Sequence, residues 1–447
     1  MNAVVMPRPG PRLRGRARAL HLALLLALAA AAAVGVRWVR GQGPRPRPAP
    51  QAPHASPAQA AFPGLDVLGM GPGEGAAAAQ TAAQASPEEA ARLEAQVKAD
   101  PDNWRLRIQL AVLLDLLGDV GRAEDVLRGA LQRGHKHPEV FNALGIVYFR
   151  NKVFNGAAEA FRAVIQKQPG SFEARLKYGW SLAYLGFPDE AQAQFEKAAR
   201  IAPRQPEPFF GLAFVNNRSQ HYHFAQRHVD AYLARGGDPG QAAALLCRIY
   251  VNSRQYDRAV EAGMRAARAL PRNASVWYNL GEACLLRPGD QDLPDAAHAF
   301  EQALAITPGW GHAHFELSRV YLLQKRLEDA IRECRKAVEV QPETGKYRYQ
   351  LGHLLVQSGQ RHEGQRQIEH ARKLVVFDQR AEQLRVRIAA DPENPRRYFE
   401  LAELYRANGR RQEAVSTYEA VLALDPRHAA ARQRLAELRR TAARPGS

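Results

Sequence analysis

The chain has 447 residues, a formal net charge of +17 and a sequence pI near 10.0, a balance that raises nucleic acid as a partner. The excess sits in the wrong place for that: arginines crowd the first residues and no acid precedes Asp66, whereas Arg and Glu are interspersed further on, as on solvated helix faces. No nucleic-acid partner is therefore expected, and three scattered cysteines (Cys247, Cys284 and Cys334) exclude a disulfide framework and a paired-cysteine metal site.

Arg8, Arg12, Arg14, Arg16 and Arg18 precede an apolar run from Ala19 to about Val36, and Arg37, Trp38 and Arg40 follow it. The run is at the short end of the roughly 17–25 residues that span a bilayer, and Trp38 suits an interface. Two readings stand for residues 1–40. One is an uncleaved signal anchor; the other is a signal peptide cleaved after the small residues Ala31 and Ala33. The first predicts a single-pass membrane protein, held by its N-terminal helix, with the rest outside the cytoplasm, in a periplasm; the second predicts a secreted form. Residues 41–87 carry Pro44, Pro46, Pro48, Pro50, Pro53 and Pro57 close together and read as a flexible tether.

From Pro87 the texture changes. A lone helix over Glu88–Asp100 ends in Asp100-Pro101-Asp102-Asn103, and a repeating pattern begins. In 138–171, Leu144, Gly145 and Tyr148 are followed by Ala157, Phe161 and Pro169. In 172–205, Tyr178, Gly179 and Leu182 are followed by Ala191, Phe195 and Pro203. In 274–310, Trp277, Leu280, Gly281 and Cys284 are followed by Ala296, Phe300, Ala303 and Pro308. Pro169 and Pro203 are 34 residues apart, as are Pro308 and Pro342. About nine units follow this grammar, over 104–137, 138–171, 172–205, 206–239, 240–273, 274–310, 311–344, 345–378 and 395–428. A second lone helix over Gln379–Asp391 precedes the last unit, and an Arg-rich helix from Ala429 to about Arg440 suits a terminal cap. The blocks are 88–377 and 378–443.

Each unit reads as two helices. Leu and Tyr at three- or four-residue spacing stripe the first helix. The small residue beside that Leu lets the second helix approach, and Pro ends the second helix. One unit cannot bury its own apolar face, so neighbours stack. The three cysteines fall in apolar register and read as small core residues.

The Trp277–Leu280–Gly281 opening, the later Ala and Phe, and the closing Pro resemble the tetratricopeptide repeat. That resemblance implies an all-α, right-handed superhelical solenoid. It also implies a concave groove lined by first helices, where positions off the packing stripe meet a protein or peptide ligand. Carried onto this chain, the groove residues are Asn142, Trp180, Tyr184, Phe210, Phe214, Asn217, Arg218, Arg248, Asn252 and Tyr278, with Phe149, Arg319, Tyr349 and His353 beside them. Trp180, Tyr184, Phe210 and Phe214 stand out as an aromatic run. They serve either as interface anchors or as packing between adjacent first helices.

Chemistry is not expected. His221, His223 and His228, and His312 and His314, lack the i, i+4 pairing of helical zinc sites, and no nucleophile elbow or phosphate-binding loop occurs. No metal, cofactor or small-molecule substrate is implied. The expectation is a non-catalytic, membrane-tethered adaptor that supports assembly of a cell-envelope complex in secretion, pilus formation or polysaccharide export. The alternative is a regulatory or substrate-recruiting subunit of an envelope enzyme such as a transferase.

Overall fold

The computed structural model describes residues 86–289 and 292–442. Among them are twenty α-helices and no strand. They fall into two compact units, divided between Gln341 and Pro342.

In the first unit α1 (Pro87–Ala99) stands alone, capped by the Ser86 hydroxyl, which accepts from the Glu89 amide at 3.2 Å. Seven helix pairs follow: α2 (Trp104–Leu116) with α3 (Val120–Gln132), α4 (Pro138–Arg150) with α5 (Phe154–Lys167), α6 (Phe172–Leu185) with α7 (Pro188–Ile201), and α8 (Glu207–Arg218) with α9 (Tyr222–Leu233). The run continues with α10 (Pro239–Asn252) and α11 (Tyr256–Ala269), α12 (Ala274–Leu286) and α13 (Leu293–Ile306), and α14 (Gly311–Leu323) and α15 (Leu327–Val340). Each helix packs on the next in sequence.

The small residues act as the sequence grammar requires. A Cβ on Gly145 would come within 2.7 Å of the Phe161 ring. Phe195 is wedged between two glycines: a Cβ would reach its ring at 2.8 Å from Gly179 on α6 and at 2.7 Å from Gly211 on α8. One ring thus ties a second helix both to its own partner and to the next pair.

The closing prolines have a role beyond ending helices. The Pro carbonyl is taken by a side chain six residues later, on the first turn of the next first helix. Arg175 donates to Pro169 O at 2.7 Å, Trp277 Nε1 to Pro271 O at 2.8 Å, and His314 Nε2 lies 2.9 Å from Pro308 O. A chain reversal with few backbone partners is thereby satisfied. The inner turns have their own period: Gly118, Lys152, Gly186, Gln220 and Arg254 all take positive φ at the ends of first helices, closing them as left-handed caps do.

In the second unit α16 (Gly345–Gln357) packs on α17 (Arg361–Ala390), and α18 (Pro395–Ala407) on α19 (Arg411–Leu424), which α20 (Ala429–Ala442) follows. The 30-residue α17 joins two segments that the sequence reading separated. The expected second helix of unit 345–378 runs without a break into the expected lone helix 379–391. No Pro or Gly lies between Gly364 and Pro392 to stop it. The division expected at 377/378 falls inside this helix.

The expected anchor at 1–40 and nearly all of the tether at 41–87 lie outside the described residues. Single-pass membrane localisation, with extracytoplasmic repeats, needs correction: no described helix is long and apolar enough to cross a membrane. Even α17, long enough by rise alone, carries charges on almost every turn.

Candidate functional site

Successive first helices of the first unit touch one another (α2 with α4, α6 with α8, α8 with α10, α10 with α12, α12 with α14), and no successive second helices do so comparably. The stack is therefore tighter along its first helices, which line its concave side.

Along that side four polar rungs join first helices between partners 35 residues apart, one repeat plus one residue. Arg150 on α4 donates to Asp115 on α2 at 2.6 Å, and Asn151 Nδ2 adds a second bond at 3.0 Å. Lys177 on α6 donates to Asn142 on α4 at 3.4 Å and lies 3.5 Å from Glu173. Arg218 on α8 donates to the Ala183 carbonyl at 2.9 Å, and Asn252 on α10 donates to Asn217 Oδ1 at 3.1 Å. Further on, Arg248 on α10 faces Glu282 on α12, 34 residues away, and Arg319 pairs with Glu316 within α14.

Burial sets the electrostatics. It pushes the Asp115 carboxyl above its usual range, against the pull of Arg150 and Asn151. It raises Glu282 likewise, with Glu316 adding and Arg248 opposing, and it lowers Lys177, which Glu173 partly restores. The cysteines behave as expected of core thiols: all three are buried, and burial pushes each up to about 12. No group of three His, Cys, Asp or Glu side chains among the described residues is placed to hold a metal ion.

The expected groove residues separate into two sets. Asn142, Asn217, Arg218, Arg248 and Asn252 lie on or beside the rungs, although Asn217 is itself buried. The aromatic run needs correction. Trp180, Phe210 and Phe214 are only 0, 2 and 4% exposed, so their rings are packing residues and do not stand out from the face as interface anchors. Trp180 packs against Phe195 at 5.3 Å and Phe214 at 5.1 Å. Tyr184 is half-buried and stacks on Phe154 at 4.8 Å, with the buried Phe149 at 5.7 Å. Tyr278 is buried against Phe300 and Trp310. These rings fill the interfaces between neighbouring repeats, where each ring buries more apolar area than any aliphatic side chain could. Tyr349 and His353 are exposed, with their rings 4.4 Å apart, in the second unit. The sequence reading missed Asp115, Arg150, Lys177 and Glu282. For Asp115, Arg150 and Lys177 the signal was available as the 35-residue spacing of polar residues, which a search at 34 passes over.

Comparison with known proteins agrees with this architecture. Profiles described as tetratricopeptide repeat match residues 142–206 and 245–309, 289–354, and 395–438. The chain carries tetratricopeptide repeats. Such a repeat array is a scaffold of the protein-binding kind. The human protein O-mannosyl-transferase TMTC1 is 24% identical over 230 residues, half of this chain. The matched stretch spans only a quarter of that relative's length. Among solved structures, YrrB, described as a tetratricopeptide protein with an unusual peptide-binding site, is 20% identical. It covers 42% of this chain and 94% of its own, with a TM-score of 0.32. A tetratricopeptide repeat protein from Parabacteroides merdae is 14% identical and covers 56% of this chain and 98% of its own, with a TM-score of 0.46.

Proposed function

We propose that the first unit is a non-catalytic scaffold that holds an extended peptide segment of a partner protein along its concave face, in support of a larger assembly. The observation that carries this reading is the run of polar rungs. In the pairs Asn217–Asn252 and Asn142–Lys177, the exposed Asn252 and the half-buried Asn142 face outward at the spacing of successive first helices, each held by a buried partner. An extended main chain offers a donor and an acceptor at every residue, and side-chain amides can meet both. Beneath one rung, the Arg218 guanidinium lies 5.9 Å from the centre of the buried Phe214 ring.

The match to an O-mannosyl-transferase favours a second reading, in which the array recruits a substrate protein to a transferase on a separate chain. Site-directed photo-crosslinking of the full chain in its own cells tests both. A crosslinker at Asn252 or Arg218 should form protein adducts, and one at the exposed Arg200 on α7 should not. A transferase among the adducts supports the second reading. Equal labelling from both faces would overturn the groove.

A further inference from the structure

Two clefts of unlike charge open between neighbouring repeats of the first unit. One, of about 590 Å³, is lined by α8, α10 and the start of α12, together with the ends of α11 and α13 and the 270–273 loop. Phe210, Ala244, Leu245 and Val276 make its apolar floor, and Arg248 and Arg272 stand on its rim. None of its lining residues is acidic; Glu282, outside the lining, faces Arg248. The Ser275 hydroxyl on the wall is buried without a hydrogen-bond partner among the described residues. The other cleft, of about 370 Å³, lies between α2, α4 and α6 and is lined by Asp115, Glu139 and Glu173 against Arg150 alone.

An apolar floor under a guanidinium rim asks for a ligand that is apolar at its centre and anionic at its edges. Arg272 makes no ion pair among the described residues, so its charge is available to a ligand, and an unpaired hydroxyl on the wall gains from any acceptor that reaches it. The acidic cleft would repel the same ligand, so charge discriminates between the two positions.

We propose that the α8–α10–α12 cleft is the anchoring subsite of the peptide groove, and that it takes a large aliphatic side chain flanked by carboxylates. This rests on the peptide-scaffold reading above, and the test separates the two. Three short labelled synthetic peptides serve as probes of the full-length chain by fluorescence anisotropy. The first has Leu flanked by Glu on both sides, the second has Leu flanked by Lys, and the third has Ala in place of Leu between the Glu residues. The first should bind about tenfold tighter than either of the others. Ala244→Trp, which fills the floor, and Arg272→Ala, which strips the rim, should each weaken the first probe by about tenfold without changing the thermal melt. Arg248 stays in place because Glu282 leans on it. Equal affinity for the Glu-flanked and Lys-flanked probes, or indifference to both substitutions, overturns the subsite while leaving a peptide-binding scaffold. Failure of every probe to bind overturns both.

Discussion

At the residue scale, the polar face is built from groups that would each be costly in isolation. Glu282 shows how. Its carboxyl is raised above the ordinary 4.5 by burial first, with Arg248 opposing and Glu316 adding. Across the pH window between its unfolded value and this raised folded value, the native state holds a proton that the unfolded state has lost. Stability contributed by this group is present at the acid end of the window and declines as pH rises through it. Glu282→Gln cannot titrate and escapes the decline. Melting temperatures of the variant and the parent should therefore diverge in the variant's favour as pH climbs from the ordinary carboxylate range toward neutrality. Parallel profiles would mean that Glu282 is solvated like a surface acid. Glu333 bears the opposite sign: burial raises it, but bonds from His314 and Lys336 bring it below the usual value, so its contribution is lost at low pH. A two-point comparison at neutral and strongly acid pH would mix the two, and a full profile is needed.

At the element scale, most of the helices were legible in the sequence because each is written in several independent signals. A stripe, a small residue, a ring and a terminal Pro all agree within one unit, as Gly145, Phe161 and Pro169 do. Legibility failed where one signal was absent. The aromatic run was misplaced because period alone does not tell a residue facing a groove from one facing the next first helix: Trp180 and Phe214 sit 34 residues apart, and that same spacing brings them together. The long α17 was read as two helices because only a missing Pro announces the continuity, and a missing residue leaves no mark in a pattern. Continuity has a checkable cost. At its start the helix crosses α16 so closely that a Cβ on Gly364 would lie 2.6 Å from the Gly352 carbonyl oxygen. Beyond Phe377 its buried stripe of Ala381 and Leu384 belongs to the cluster that holds Tyr405 and Tyr418. Asp378 is exposed, so Asp378→Pro disturbs little but the helix itself. It should destabilise the second unit by about 3 kcal/mol or more, through a lost backbone bond and a ring clash. A two-helix arrangement with a turn near 378 would instead tolerate the change, and urea titration of the full chain followed by far-UV circular dichroism distinguishes the outcomes.

At the scale of the whole molecule, the decisive property of a repeat array is that its core is a line of interfaces with no single centre. Stability is then a sum of local terms, and damage should stay near where it is inflicted. The aromatic cluster of α6 and α8 offers a sharp case. Phe214 packs on Trp180 at 5.1 Å and is buried, so Phe214→Ala should cost roughly 3–5 kcal/mol as a core truncation. A domain with one shared core would lose that amount everywhere. Here the loss should fall on the repeats that share the cluster. In native-state hydrogen exchange, amides of α6 through α9 should lose protection, because opening there now costs less, while amides of α18 and α19 keep their rates. The same measurement bears on function. The rungs at Arg218 and Asn252 stand on this stretch, and ordering a peptide against a loosened face carries a larger entropic cost. Peptide capture should therefore weaken in step with the local loss of protection, even though Phe214 has almost no exposed surface with which to touch a ligand. Uniform loss of protection across both units would show a single cooperative core, and the nearest-neighbour account of this chain would have to be abandoned.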